Sequence, residues 1–168
     1  CLSGFCLFYP IAAKGTFPSW KNFFERRALR IFPAYFAALI LFIPLWAAWH
    51  PGWYANPWRD ILSHVFFLHT LSPETSHSIN GVLWSLGTEI HFYLLFPLLA
   101  FLVYRHPILA LPLAFAVAYA WKGYARSHGM NAGWSEAFIL GTLPLFVSGM
   151  VAARLSRTTL PEILIILF

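Results

Sequence analysis

Charge is what this sequence has least of. Lys, Arg, Asp and Glu together make up 10% of its 168 residues, against about 25% in ordinary soluble domains. Water is therefore not the main solvent of the chain. Cysteine is nearly as scarce: two residues, Cys1 and Cys6, cannot build a disulfide framework. Both lie in an apolar stretch, where a free thiol behaves as a small hydrophobe, and neither is assigned a function. There is no His-Glu-x-x-His, no Cys-x-x-Cys and no acidic ligand cluster, so no metal site is expected. A Gly-rich phosphate loop is missing too, as are internal repeats, low-complexity tracts and any segment that reads as a soluble domain.

What fills the space is apolar. Hydrophobic residues reach 60% and aromatics 19%, with eight Trp and seventeen Phe, and the mean hydropathy is +0.67. Such a composition suits a lipid-facing protein whose Trp and Tyr rings sit near the headgroups. The net charge of +5 does not point to nucleic acid. Lys14, Lys21, Arg26, Arg27 and Arg30 fall together just before an apolar span, as the cytoplasmic flank of a transmembrane helix does under the positive-inside rule. The fold class expected is all-α, a polytopic bundle with five to seven membrane segments, forming one domain over residues 1–168.

A spanning helix needs roughly 20 apolar residues. The first full candidate runs from Pro33 to Trp49, with Pro33 in the first turn, where proline is tolerated. Ahead of it lie the apolar stretch Leu2 to Ala13 and the basic stretch Lys14 to Arg30. After it, His50 to Pro57 reads as a turn-rich loop. The segment Asp60 to Leu71, with His64 and His69, is short for a span and reads either as a tilted crossing or as partly re-entrant. Val82 to Tyr104 is the longest apolar run, and Pro107 to Trp121 and Ala137 to Ala153 follow. If every segment crosses, seven of the eleven Lys and Arg are inside, and Arg59, Arg105, Arg154 and Arg157 are outside. The chain opens on Cys1 with no signal peptide pattern and ends in the short apolar run Ile163 to Phe168, so both ends read as truncations.

Against this apolar ground, Trp84-Ser85-Leu86-Gly87-Thr88-Glu89-Ile90-His91-Phe92-Tyr93 carries the sharpest signal. A carboxylate at the centre of a membrane helix costs about 3 kcal/mol on insertion scales, so Glu89 needs an offset: a hydrogen bond from Ser85, a nearby Arg, or a place near the surface. An intramembrane Glu is by default a functional hypothesis. The plainer reading makes it a solvated or paired interfacial residue. Arg27 and Arg30, three apart, project side by side on a helix and suit a phosphate or pyrophosphate, although an ordinary headgroup-binding flank has the same look. The histidines are the weakest feature, because His91 and Glu89 lie two apart and face different ways.

Three motifs in order now resemble one family: Leu2-Ser3-Gly4-Phe5, then Phe24 to Tyr35 with its Arg26-Arg27-Ala28-Leu29-Arg30 core, then Leu83 to Tyr93. The chain is similar over its whole length to the membrane-bound acyltransferase 3 family, whose members decorate O-antigen, peptidoglycan, Nod factors and macrolides. The resemblance implies transfer of a short acyl group from acyl-CoA, most simply acetyl-CoA, to a hydroxyl of a carbohydrate or lipid-linked glycan in a bacterial inner membrane. It assigns Arg27 and Arg30 to the donor and Glu89 to catalysis, with Ser3, Trp84, Ser85 and Tyr93 in support, and no tightly bound cofactor. The family's essential histidine belongs to a first helix that this sequence lacks, and none of the seven histidines here sits in that context. No catalytic base is therefore assigned, and these residues alone are expected to be inactive. A transporter, with Glu89 lining a polar pathway, predicts solute flux without covalent modification. A membrane scaffold predicts that Glu89→Gln leaves surface glycans unchanged.

Overall fold

The computed structural model describes residues 2–49 and 57–157 of the chain. The predicted loop His50 to Pro57 falls largely outside the described residues, and Cys1 and the apolar run from Leu160 fall wholly outside them. Every regular element is helical: α1 Leu2–Lys14, α2 Trp20–Trp49, α3 Pro57–Val65, a 3-10 turn at His69–Leu71, α4 Leu83–Arg105, α5 Pro107–Ser127, α6 Ala132–Ala137 and α7 Ile139–Leu155. Among the described residues four helical stretches are long and apolar enough to cross a membrane: α2, α4, α5 and the pair α6 and α7 together. Helix α1 is a shorter apolar helix.

Two expectations need correction. Helix α2 does not begin at Pro33 but at Trp20, and carries Pro33 and Pro44 within it. Residues such as Ala28, Leu29 and the arginines propagate a helix well, and membrane helices tolerate internal proline where neighbours satisfy the freed carbonyls. The basic residues from Lys21 to Arg30 thus lie in the first third of a helix, while Lys14 ends α1. The second correction concerns Asp60 to Leu71, which forms only the nine-residue α3 and one 3-10 turn. Nine residues rise about 13.5 Å, less than half of a hydrocarbon core of roughly 30 Å.

The chain divides into two compact units, residues 1–18 with 92–168, and residues 19–91. In the first, α1, the end of α4, and α7 run in the same direction. Gly4 meets the backbone of Phe146 so closely that a Cβ there would collide with its carbonyl oxygen. Further along, the Arg157 guanidinium lies over Tyr9. Phe92 stacks on Phe146 at 4.4 Å, and twelve residues later Tyr104 meets Arg154. Glycine at position 4 is what allows α1 to touch α7 backbone to backbone. Helix α5 returns in the opposite sense, joined to α4 by His106 alone. Phe138, extended at φ −57° and ψ 150°, breaks α6 from α7, and the Trp121 indole N–H donates to the carbonyl of Ser135 in the broken turn at 2.9 Å.

Within the first unit α1, α4 and α7 end together, where Lys14, Arg105, Arg154 and Arg157 lie, while Lys122 and Arg126 lie at the far end of α5. Four against two is a positive-inside excess at that end.

Candidate functional site

The site is built in the second unit, from α2, α3, the loop after it and the opening of α4. Its centre is a pair of histidines. His64 and His69 are five residues apart, so no single helix would bring them together. The backbone reverses at Phe67, which takes a left-handed φ of 59°, and the two imidazoles stack at 4.1 Å with planes 8° apart. Both rings are wholly inaccessible to solvent. A bulky residue held at positive φ is uncommon and persists only where surrounding structure over-determines it. Ile79, at φ 62°, closes the same loop in the same way.

Each ring is fixed at one nitrogen. His64 Nδ1 lies 2.8 Å from the Asp60 carbonyl and His69 Nε2 lies 3.2 Å from the Leu83 carbonyl. A carbonyl only accepts, so these nitrogens carry the protons. The other two, His64 Nε2 and His69 Nδ1, are buried lone pairs with no hydrogen-bond partner among the described residues. Burial pushes His64 below its ordinary value, against the pull of the Asp60 carbonyl and carboxylate. Burial, with His64 stacked beside it, pushes His69 down to about 4. Both rings are neutral at pH 7.

Around this pair the loop satisfies itself. Tyr35, on α2, donates its hydroxyl proton to the His64 carbonyl at 2.9 Å and packs its ring on Phe67 at 4.4 Å. Thr75 donates to the His69 carbonyl at 2.8 Å, and Ser78 to the Thr75 carbonyl at 3.0 Å. On α4, Gly87 provides the seat for this layer. A Cβ there would come within 2.7 Å of Thr70 Cγ2 and 2.8 Å of His69 Cε1. One turn on, His91 Nδ1 lies 3.4 Å from Thr70 Oγ1.

Glu89 therefore stands on a helix whose adjoining turns are pressed against buried imidazole and hydroxyl groups, and it is itself half-buried. Ser85 is exposed and its hydroxyl donates to the Val82 carbonyl at 3.1 Å. Trp84 is half-buried, and its carbonyl accepts from the Thr88 hydroxyl at 3.0 Å. Arg27 and Arg30 sit one turn apart in the first third of α2. Arg27 is half-buried with its guanidinium 5.7 Å from the Phe23 ring centre, and Arg30 is exposed. Five residues beyond Arg30, about 7.5 Å along the axis, Tyr35 stacks toward His69 at 6.4 Å. Tyr35 and His69 thus lie between α2 and the first turns of α4, the helix that carries Glu89. Ser3 and Tyr93 belong to the other unit, where Ser3 is exposed near the start of α1 and Tyr93 is buried on α4.

The two stacked histidines are what sequence reasoning missed. Their spacing matches no helix or metal signature, and the bend that unites them depends on Phe67 adopting a conformation its side chain disfavours. Among the described residues no group of three or more His, Cys, Asp or Glu is arranged to hold a metal ion.

Four helical stretches long and apolar enough to cross a membrane, among the described residues, mark an integral membrane protein. The chain belongs to the acyltransferase 3 family, whose model, described as an acyltransferase domain, matches residues 1–168. It is therefore a membrane acyltransferase by family. No curated protein and no solved structure matched it.

Proposed function

We propose that this protein, in the inner membrane of a bacterium, transfers a short acyl group from acyl-CoA to a hydroxyl of a carbohydrate or lipid-linked glycan of the cell envelope. In that reaction the thioester C–S bond breaks, an ester C–O bond forms, the hydroxyl proton passes to a base, and coenzyme A leaves as the thiol. The arginine turn is the donor end. Two guanidinium groups at i and i+3 offer planar donors to a pyrophosphate, and they follow directly from the more basic, cytoplasmic side where acyl-CoA is found. Acetyl-CoA is the simplest donor.

Glu89 orients the reacting group or stabilises charge beside it, and Trp84, Ser85 and Tyr93 shape its helix. His64 and His69 have no surface open to a substrate, so they act as positioning residues: His69 holds the first turn of α4 through the Leu83 carbonyl. The observation that supports this reading is the seating of α4 at Gly87 against the buried His69, which fixes the helix that carries Glu89. The test is coenzyme A release and acyl incorporation into envelope glycans by membranes containing the protein at its natural length. Arg27→Ala/Arg30→Ala should raise the KM for acyl-CoA by about tenfold or more, since each charge-assisted bond lost is worth about 1.5–3 kcal/mol. An unchanged KM removes the arginines from the donor site.

A further inference from the structure

We propose that the shared end of α1, α4 and α7 binds the phosphate headgroup of an anionic phospholipid. Three helices terminate there together. The Tyr104 hydroxyl donates to the Gly15 carbonyl at 3.4 Å, tying the end of α4 to the cap of α1, where Gly15 takes φ 67°. Phe17 packs edge-on against the Tyr104 ring at 5.4 Å. From α7, the Arg154 guanidinium lies over the other side of this node, 4.9 Å from the Tyr104 ring centre. Arg157 lies 4.2 Å over Tyr9, and Arg105 lies 5.4 Å over Phe101. Lys14 completes the last turn of α1.

Four cations thus gather at one end, and three of them rest on aromatic faces, not on carboxylates. Among the described residues of this unit the single acidic side chain is Glu136, on α6 at the opposite end. Helix C-termini favour cations through their dipoles, which accounts for one charge per helix end. It does not account for Arg154 Nε, which is buried and has no hydrogen-bond partner among the described residues. An N–H donor left in that state costs free energy unless an acceptor arrives. A guanidinium carried over a ring face keeps its planar fork of N–H donors available to a phosphate.

The occupant follows from the position. Membrane-length α4 and the α6–α7 pair both end here, so the cluster lies at headgroup depth, and four of this unit's six described Lys and Arg gather at this end, as positive-inside flanks do. Anionic lipids of that leaflet supply phosphate at this depth without entering the bundle.

The experiment is lipid retention by the protein at its natural length, in nanodiscs of phosphatidylcholine containing phosphatidylglycerol, read by native mass spectrometry after detergent release. The parent should retain phosphatidylglycerol over phosphatidylcholine. Arg154→Gln/Arg157→Gln should lower that preference by about fivefold per arginine, from roughly 1 kcal/mol per basic residue at a membrane surface. Lys122→Gln/Arg126→Gln, which removes the same charge at the opposite end, should leave it unchanged. Arg154→Lys/Arg157→Lys keeps the charge and the fold but loses the stacked fork, and should give an intermediate preference. Equal losses at both ends, or no preference in the parent, would overturn the proposal. So would displacement of the retained lipid by millimolar free coenzyme A, which would assign the site to nucleotide phosphate.

Discussion

Replacing Gly87 by alanine places one methyl group where α4 meets the histidine layer. The added carbon would stand 2.7 Å from Thr70 Cγ2, 2.8 Å from His69 Cε1 and 2.9 Å from His69 Nε2, roughly 0.7 Å or more short of van der Waals separation. His69 cannot yield outward, because it is wholly buried and stacked on His64. The bond from its Nε2 to the Leu83 carbonyl is already long at 3.2 Å and is the first thing lost. Overpacking costs about 1–3 kcal/mol and a stranded buried N–H about 1–3 kcal/mol more. The melting temperature in detergent should fall by about 4–24 °C, from the summed 2–6 kcal/mol at the 2–4 °C per kcal/mol typical of a chain of this size. Removing the obstacle should restore part of the loss: His69→Ala/Gly87→Ala should cost less than the sum of the two single changes. Parent-like melting of Gly87→Ala, or strict additivity in the double variant, would refute the packing argument.

Stability should also depend on pH through His69. Its folded value near 4 lies below the ordinary 6.5, so below pH 6.5 the unfolded chain takes a proton that the folded chain does not. Stability should fall by about 3 kcal/mol between pH 6.5 and 4, and His69→Asn should flatten the slope in a detergent melting series. Gly4→Leu should force α1 from α7, because its Cβ alone would collide with the Phe146 carbonyl oxygen; a protease site placed before α1 should then be cut faster. Tyr35→Phe deletes a buried hydrogen bond to the His64 carbonyl and should cost about 1 kcal/mol in the same melting assay.

The membrane class was legible from composition because hydrocarbon tolerates so few charges. The bounds of α4 were legible too, Val82 to Tyr104 against Leu83–Arg105, since an uninterrupted apolar run offers no competing reading. Where amphipathic sequence met a proline, the reading failed: the arginines ahead of Pro33 looked like a loop and are helix. The short segment with His64 and His69 left its crossing open, and it forms a nine-residue helix and one 3-10 turn. Glu89, Arg27 and Arg30 stood out because charge in an apolar run is conspicuous. The histidine pair did not, because it is made by two residues at left-handed φ, Phe67 and Ile79, that no local pattern announces.

Coenzyme A release by membranes containing the protein at its natural length, supplied with acetyl-CoA and envelope glycans, tests the central claim most directly when Glu89→Gln and Glu89→Asp are run beside the parent. The account predicts release in the parent, loss by about a hundredfold in Glu89→Gln, as expected for a displaced or neutralised group at the chemistry, and partial recovery in Glu89→Asp. Release unchanged in Glu89→Gln, or solute flux without any release in the parent, would contradict it.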